Sequence, residues 1–548
     1  MEIICYNKLN IERVKVLTDK NSSSSFMHGA IILLIANIVV KLIGAIFKIP
    51  LTYILGEEGM GYFSTSYQVY TWMFIVATAG IPVAISKMIS ESSARNRYTE
   101  IKNIFSVSFA LLSAIGIAGF ALLYFGADFF ANSLLKNPGA AYGIKAIAPA
   151  MLFVSLMSAY RGYFQGHQNM VPTALSEIAE ALGKLIIGFG AAYFFIPKGM
   201  EMSAAGAVMG VSAGGFLGFA ILYIIRKKEQ MKPQKINGVS LESERRSVIL
   251  KNLIKIAIPI TIGASVFSLT SLIDTAMIMR RLQAGGLFTA KEANSLWGSY
   301  SGYAIPLFNL PPTLINAITV SIVPAIASAY AVKDYKKASH TTCKGIKITV
   351  LFSLPCAVGM SMLANPILAL VYNNSNASST LTILAIAIVF VSLVLVTNAI
   401  LQATGNELIP VINMLIGGIA KVVINYFLVA NPDININGAP IGTTSCYAII
   451  LVLNIIAVTR KLKLTLPAGE LIVKPLVSAL AMAAVLYFVS PVFEGTGRLI
   501  EAAAPICIGA AVYLLMIVIL KGINEDDIDM LPKADMLKKL CRKLRIIR

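Results

Sequence analysis

The sequence predicts an all-α fold: a polytopic membrane protein of about 14 transmembrane helices, built as two parallel pseudo-symmetric six-helix lobes plus two extra helices. Three observations lead there. The 548 residues are 57% hydrophobic and 13% charged, with a mean hydropathy of +0.76, whereas soluble domains carry about a quarter charged residues. Apolar runs of roughly 20 residues, the length that crosses a bilayer, follow one another along the chain. Part of the first half also recurs in the second: Gln165, Asn169 and Lys184 return as Gln402, Asn406 and Lys421, each 237 positions later.

From the N-terminus, residues 1–27 are mostly polar and lead into an apolar run without an A-x-A-like exit, so they are expected to be a cytoplasmic segment and not a cleaved signal. The runs at 28–51, 66–88, 104–126, 142–163, 173–196 and 203–225 form the N-lobe, 28–225. The basic stretch 226–252 is the cytoplasmic linker. A C-lobe, 253–460, holds the runs 253–279, 297–330, 347–372, 377–402, 409–430 and 438–459, and two further runs, 472–490 and 499–520, lie within 461–520. The repeat offset covers an even number of spans, so both lobes are expected to share one orientation. Pro172 and Pro410 extend the repeat with a one-residue slip, and Pro82 is matched to Pro324. The closing segment 521–548 is a basic amphipathic tail with Leu537, Leu540, Leu544 and Ile547 on one helical face, suited to anionic membrane lipids.

The net charge of +19 is a topology signal. Most Lys and Arg fall in one alternating set of loops, which places both termini in the cytoplasm of a multi-pass membrane protein and gives no reason to expect nucleic acid as a partner. The six cysteines form no CxxC pair and the three histidines no metal array, so no cofactor and no metal site are expected. No cluster of convergent carboxylates or histidines suits a membrane enzyme. Transport remains.

A cation inside a span costs at least a few kcal/mol and marks a functional position. The first span carries two, Lys41 and Lys48, separated by about 700° and about 10.5 Å of rise, hence on one face. Gly44 lies between them and leaves room for a ligand. Lys41 is read as a cavity cation; Lys48 is either a second one or a snorkelling anchor. Glu177 and Lys184 in the fifth span and Lys421 in the eleventh are weaker candidates, with Glu180 and Lys184 spaced for an i,i+4 ion pair. Asp274 could bind a coupling ion, Na+ or H+, or pair with a lysine. Arg280 and Arg281 either gate or anchor the end of the seventh span. Pro306, Pro311 and Pro312 kink the eighth span around Asn309, its expected cavity-facing polar group. The turn "GEEGMGYFSTSYQVY" (56–70) reads as a hinge between the first two spans.

Three motifs, "GEEGMGYF", "AGIPVAISKMISESSARNR" and "RGYFQGHQNMVPTALSEIAE", resemble the stage V sporulation protein B-like branch of bacterial polysaccharide and lipid II flippases, within the multidrug/oligosaccharidyl-lipid/polysaccharide exporter superfamily. The resemblance runs from about residue 28 to beyond 460. It implies a central cavity and transfer of an undecaprenyl-diphosphate-linked saccharide, lipid II foremost, from the inner to the outer leaflet by alternating access. It implies a diphosphate-handling role for cations of the first span, here Lys41 and Lys48, and cell-wall synthesis enzymes as neighbours. Two departures stand out. Lysines replace the arginines of many relatives, which removes fork-like phosphate contacts, and the eighth span lacks the charges of some lipid II flippases. The competing reading is a cation-coupled multidrug exporter of the same superfamily, centred on Asp274.

Overall fold

The computed structural model describes residues 2–230, 244–462 and 469–522, and these residues are helical throughout, with no strand. Eleven stretches among them are long and apolar enough to cross a membrane, and one of these, Ile35–Ala94, contains more than one crossing. The predicted tail lies outside the described residues beyond Gly522, as do residues 231–243 of the predicted linker.

The chain divides into two compact units, the first ending at Thr275 and the second beginning at Ala276. The first opens with α1 (Glu2–Thr78), which is two arms and not one rod. Gly56, at φ 57° and ψ −165°, breaks the helical path, and Phe47 and Phe63 meet with ring centroids 6.2 Å apart. Sixteen residues of straight helix would separate them by about 24 Å. Only one residue of the expected hinge therefore leaves the helix, and the second arm begins at Glu57, well before the predicted residue 66.

The unit continues with α2 (Ile81–Ala94), α3 (Tyr98–Phe125) and α4 (Ala140–Gly166). Next, α5 (Val171–Gly183) passes through a π-helical turn (Lys184–Gly188) into α6 (Phe189–Phe194), and α7 (Met200–Gln230) follows. Then comes α8 (Arg246–Leu282). Its residues up to Thr275 belong with the first unit, whereas the sequence reading gave everything from 253 onward to the second lobe. Ile249, Leu253 and Ala257 of α8 complete the core built by Ile85, Ile89, Ile104 and Phe164.

In the second unit α9 (Ala290–Gly298) opens with a capping box, in which the Thr289 hydroxyl accepts from the Glu292 amide and the Glu292 carboxylate accepts from the Thr289 amide. A π-helical turn (Ser299–Ala304) leads to α10 (Ile305–Phe308) and α11 (Leu310–Ala331). The break falls at Asn309, immediately before Leu310 and the Pro311–Pro312 pair, because neither proline can donate to the preceding turn. Beyond it run α12 (Tyr335–Met362), α13 (Ala364–Tyr372), α14 (Ser378–Ala403), α15 (Leu408–Leu428) and α16 (Gly438–Leu462). The extra pair, α17 (Lys474–Val489) and α18 (Arg498–Ile519), packs on α12. Tyr513 secures it by donating to the Leu351 carbonyl at 2.9 Å.

The duplication is written in the helix ends. Adding 237 to the ends of α3 gives the ends of α12: 98 becomes 335 and 125 becomes 362. The ends of α4 and the start of α5, 166 and 171, become 403 and 408, where α14 ends and α15 begins. Left-handed residues coincide as well: Asn96 with Lys333, and Gln168 with Gly405. Each unit closes the turn before α3 or α12 with the same bond, Arg97 amide to Ser92 carbonyl and Asp334 amide to Ala329 carbonyl, both 2.9 Å. On this register Pro82 corresponds to Thr319, and the Pro82–Pro324 match is five residues out of step.

Candidate functional site

The first unit encloses a cavity of about 320 Å³ between the two arms of α1 and α5. Helical spacing brings its lining together. Asn37, Val40, Gly44 and Phe47 form one i,i+3/i+4 stripe, Tyr67, Tyr70 and Phe74 a second, and Glu177, Glu180 and Lys184 a third. α5 can stand this way because its other side is nearly bare. A Cβ on Gly183 would meet the Gly214 Cα of α7 at 2.7 Å, and one on Gly210 would meet the Gly188 Cα at 2.4 Å. Small residues let the two backbones touch, as in other membrane helix pairs.

Lys184 is the best-placed cation of this cavity. Its Nζ sits 4.5 Å from the Tyr67 ring centroid and 5.3 Å from that of Phe47, a cation–π setting worth about 0.5–2 kcal/mol. The two rings belong to a ladder, Phe47, Phe63, Tyr67, Tyr70 and Phe74, with successive centroids about 6 Å apart. The expected Glu180–Lys184 ion pair is not made. Glu180 instead accepts from Arg161 of α4 at 3.0 Å, while Arg161 Nε donates to Ser176 at 3.0 Å. The π-helical turn begins at Lys184, which alters the i,i+4 register on which that pairing depended. Arg161 was not singled out from the sequence; a lone arginine at the end of an apolar run was the available signal. Glu177 points an oxygen, Oε2, that is buried and has no hydrogen-bond partner.

The other expected residues distribute as follows. Gly44 lines the cavity, and a Cβ there would meet nothing within 4 Å. Lys48 is half-buried and lies in electrostatic reach of Lys184. Lys41 is exposed and outside the cavity wall, one residue along from Val40. Asn309 is exposed at the α10–α11 break, Asp274 is buried at the end of the first unit, and Lys421 is half-buried in α15. Arg280 is exposed. Arg281 donates to the Tyr426 carbonyl at 2.9 Å and its guanidinium lies 4.0 Å from that ring's centroid. No group of three or more potential metal ligands gathers among the described residues.

The duplicated frame carries this chemistry once. The positions 237 beyond Arg161, Ser176, Glu177 and Glu180 are Asn398, Asn413, Met414 and Gly417, and those beyond Tyr67 and Phe47 are both alanine, Ala304 and Ala284. Only Lys184 keeps its type, as Lys421. In the second unit the corresponding space holds a neutral knot. Asn454 accepts from Asn413 at 2.8 Å and donates to Asn398 at 2.7 Å and to Thr397 at 3.0 Å. Replacing Asn454 with leucine strands several buried amide groups, so thermal unfolding in detergent should show a loss of about 1–3 kcal/mol.

Comparison with known proteins agrees with the fold. The profile of the family described as polysaccharide biosynthesis protein matches residues 26–330, and that of the MatE family matches residues 300–427. Stage V sporulation protein B of Bacillus subtilis is 24% identical, over 93% of this chain and 98% of its own. The lipid II flippase MurJ of the same organism is 25% identical, over 80% of this chain and 83% of its own. A solved lipid II flippase MurJ in an inward closed conformation superposes with a TM-score of 0.64 at 15% identity, covering 90% of this chain and 98% of that one. The first profile spans more than half of the 548 residues, and with it the chain belongs to the polysaccharide biosynthesis protein family of the multidrug/oligosaccharidyl-lipid/polysaccharide exporter superfamily.

Proposed function

We propose that the protein is a flippase that moves a polyprenyl-diphosphate-linked saccharide, lipid II foremost, from the inner to the outer leaflet of the bacterial plasma membrane by alternating access. The observation that carries this reading is the charge of the first unit's cavity. Lys184 stands in the cavity wall over the Tyr67 and Phe47 rings with Lys48 in its electrostatic reach, while Arg161 and Glu180 pair with each other. Two ammonium groups within electrostatic reach of one another favour an anionic cargo beside them. The diphosphate is held by Lys184 and Lys48, and Lys41 on the exposed side extends the cationic stripe toward the cavity edge. The functions named for the relatives, lipid II flipping and sporulation, point the same way.

The rival, a cation-coupled drug exporter, draws support from the MatE match over residues 300–427. Leaflet transfer of a fluorescent lipid-linked sugar in proteoliposomes separates the two. The flippase reading requires transfer by the wild type; drug efflux without sugar-lipid transfer, with its greatest sensitivity at Asp274, would establish the exporter instead.

Gly44 supplies a test of the cavity itself. Gly44→Leu has open space for its Cβ, and in a helix leucine is better than glycine by nearly 1 kcal/mol. Thermal stability should hold or rise while leaflet transfer falls about tenfold or more, because the added side chain occupies the void.

A further inference from the structure

The first unit has a second cavity, which the flippase reading does not use. It is a groove of about 650 Å³ between the second arm of α1, α3, α4 and α8. Sixteen residues line it, and Thr261 alone has a polar side chain, whose oxygen is taken by the Gly80 amide. Water would find no partners there, since a buried water needs about two to four. An empty void of that size would strip its walls of packing contacts. The occupant is therefore hydrocarbon. One side of the groove is open, where Val76, Leu122, Ile254, Ile258 and Ile262 are exposed. That side continues into the exposed Phe125, one turn beyond Leu122, on a helix long and apolar enough to cross the membrane. The groove thus opens onto lipid.

One end of the groove is charged. On α8 the lining residues Ile254, Ile258 and Ile262 recur at i, i+4 and i+8, and Lys251 continues this edge one turn before them, with Lys255 beside it. Both lysines are exposed. This end lies near the start of α3, because Ile249 and Leu253 share a core with Ile101 and Ile104. The slot then runs from Leu111 to Leu122 of α3, about 16 Å along the helix. Lysine stems carry their ammonium groups outward to the head-group layer, and basic pockets between membrane helices bind anionic head groups. We propose that the groove is a phospholipid site: Lys251 and Lys255 hold the phosphate of a bilayer lipid, and one of its acyl chains fills the slot against α8. The cargo's own chain is the poorer occupant. The second arm of α1 turns Thr71, Phe74 and Ile75 to the cavity of Lys184, and Met73, Val76 and Ala77 to the groove. That helix stands between a diphosphate held at Lys184 and this slot. The lipid chain is a packing partner of α8 beside the Gly80–Thr261 contact.

The test counts lipids bound to the delipidated full-length protein by native mass spectrometry, with phosphatidylglycerol and phosphatidylcholine of equal chain length as probes. The wild type should hold one phosphatidylglycerol about tenfold more tightly than phosphatidylcholine, and should melt at a higher temperature with it. Ala118→Phe puts a ring into the slot from an exposed position. It should remove that site for both lipids while the lipid-free protein melts no lower than the wild type. The double variant Lys251→Gln, Lys255→Gln changes exposed residues only; it should erase the head-group preference and keep chain binding. This pair decides the matter if Ala118→Phe fails to fold. An Ala118→Phe protein that melts like the wild type and keeps the tight lipid overturns the site, and so does a lysine-pair variant with its full preference. A wild type without a tight phosphatidylglycerol overturns it as well, leaving the flippase reading untouched. Displacement of phosphatidylglycerol by an equal amount of polyprenyl phosphate would give the groove to the cargo's chain and overturn the phospholipid.

Discussion

Lys184→Ala should lower leaflet transfer of the lipid-linked saccharide ten- to a hundredfold, Lys184→Glu should lower it further, and Lys184→Arg should keep much of it. A hydrogen bond to a charged partner is worth about 1.5–3 kcal/mol, and about 1.4 kcal/mol is a factor of ten. The loss should come without unfolding. Lys184 contributes its rings' cation–π attraction, about 0.5–2 kcal/mol, while the packing of this part of α5 rests on Gly183, Gly188 and their partners in α7. Arginine succeeds because its guanidinium stacks on aromatic faces as well as binding phosphate; the Tyr67 and Phe47 rings are already in place for it. Equal transfer by Lys184→Ala and wild type, with both well folded by thermal melting, would move the phosphate site elsewhere, to Lys48 and Lys41.

Hydropathy made the spans legible, and the repeat made the two-unit plan legible, because both are written in residue type. Gln165 with Gln402 and Asn169 with Asn406 mark a turn whose backbone bond recurs, Asn169 amide to Phe164 carbonyl at 3.0 Å and Asn406 amide to Leu401 carbonyl at 2.9 Å. The turn at Asn96 and Lys333 was hidden, since a left-handed φ can be met by different side chains, and a conspicuous proline drew the match to the wrong register. The cavity was half legible. Gly44 lines it, Lys48 is half-buried within electrostatic reach of Lys184, and Lys41 is exposed. The choice between Glu180–Lys184 and Glu180–Arg161 could not be read from spacing. It depends on a π-helical turn that no residue announces and on a neighbouring helix 19 positions away in sequence. The fate of α8 was equally hidden. Its first half joins the core of the first unit, and the Gly80 amide just before α2 donates to its Thr261.

That contact gives the second large expectation. Pro82 sits at the start of α2, where it has no N–H to offer the turn before it, and the chain at Ala79–Gly80 leaves the helix. The Gly80 amide then donates sideways to the Thr261 hydroxyl of α8 at 3.2 Å. Only glycine permits the approach: a Cβ at Gly80 would lie 2.1 Å from the Ala257 carbonyl oxygen and 2.6 Å from Thr261 Oγ1. The obstacle is backbone, so rotamer changes cannot relieve it. α8 must shift against the core it forms with Ile249, Leu253 and Ala257, and an apolar cavity of about 650 Å³ among Met73, Ala77, Leu111, Leu253 and Ile258 lies beside it. Gly80→Ala should therefore cost about 3 kcal/mol, the upper end of what overpacking usually costs, and lower the melting temperature in detergent. Thr261→Val keeps the shape and removes the acceptor, leaving a buried amide unmatched for about 1–3 kcal/mol. The two substitutions break one contact, so the double variant should be less destabilised than the sum of the singles. Strict additivity would mean that Gly80 and Thr261 act independently.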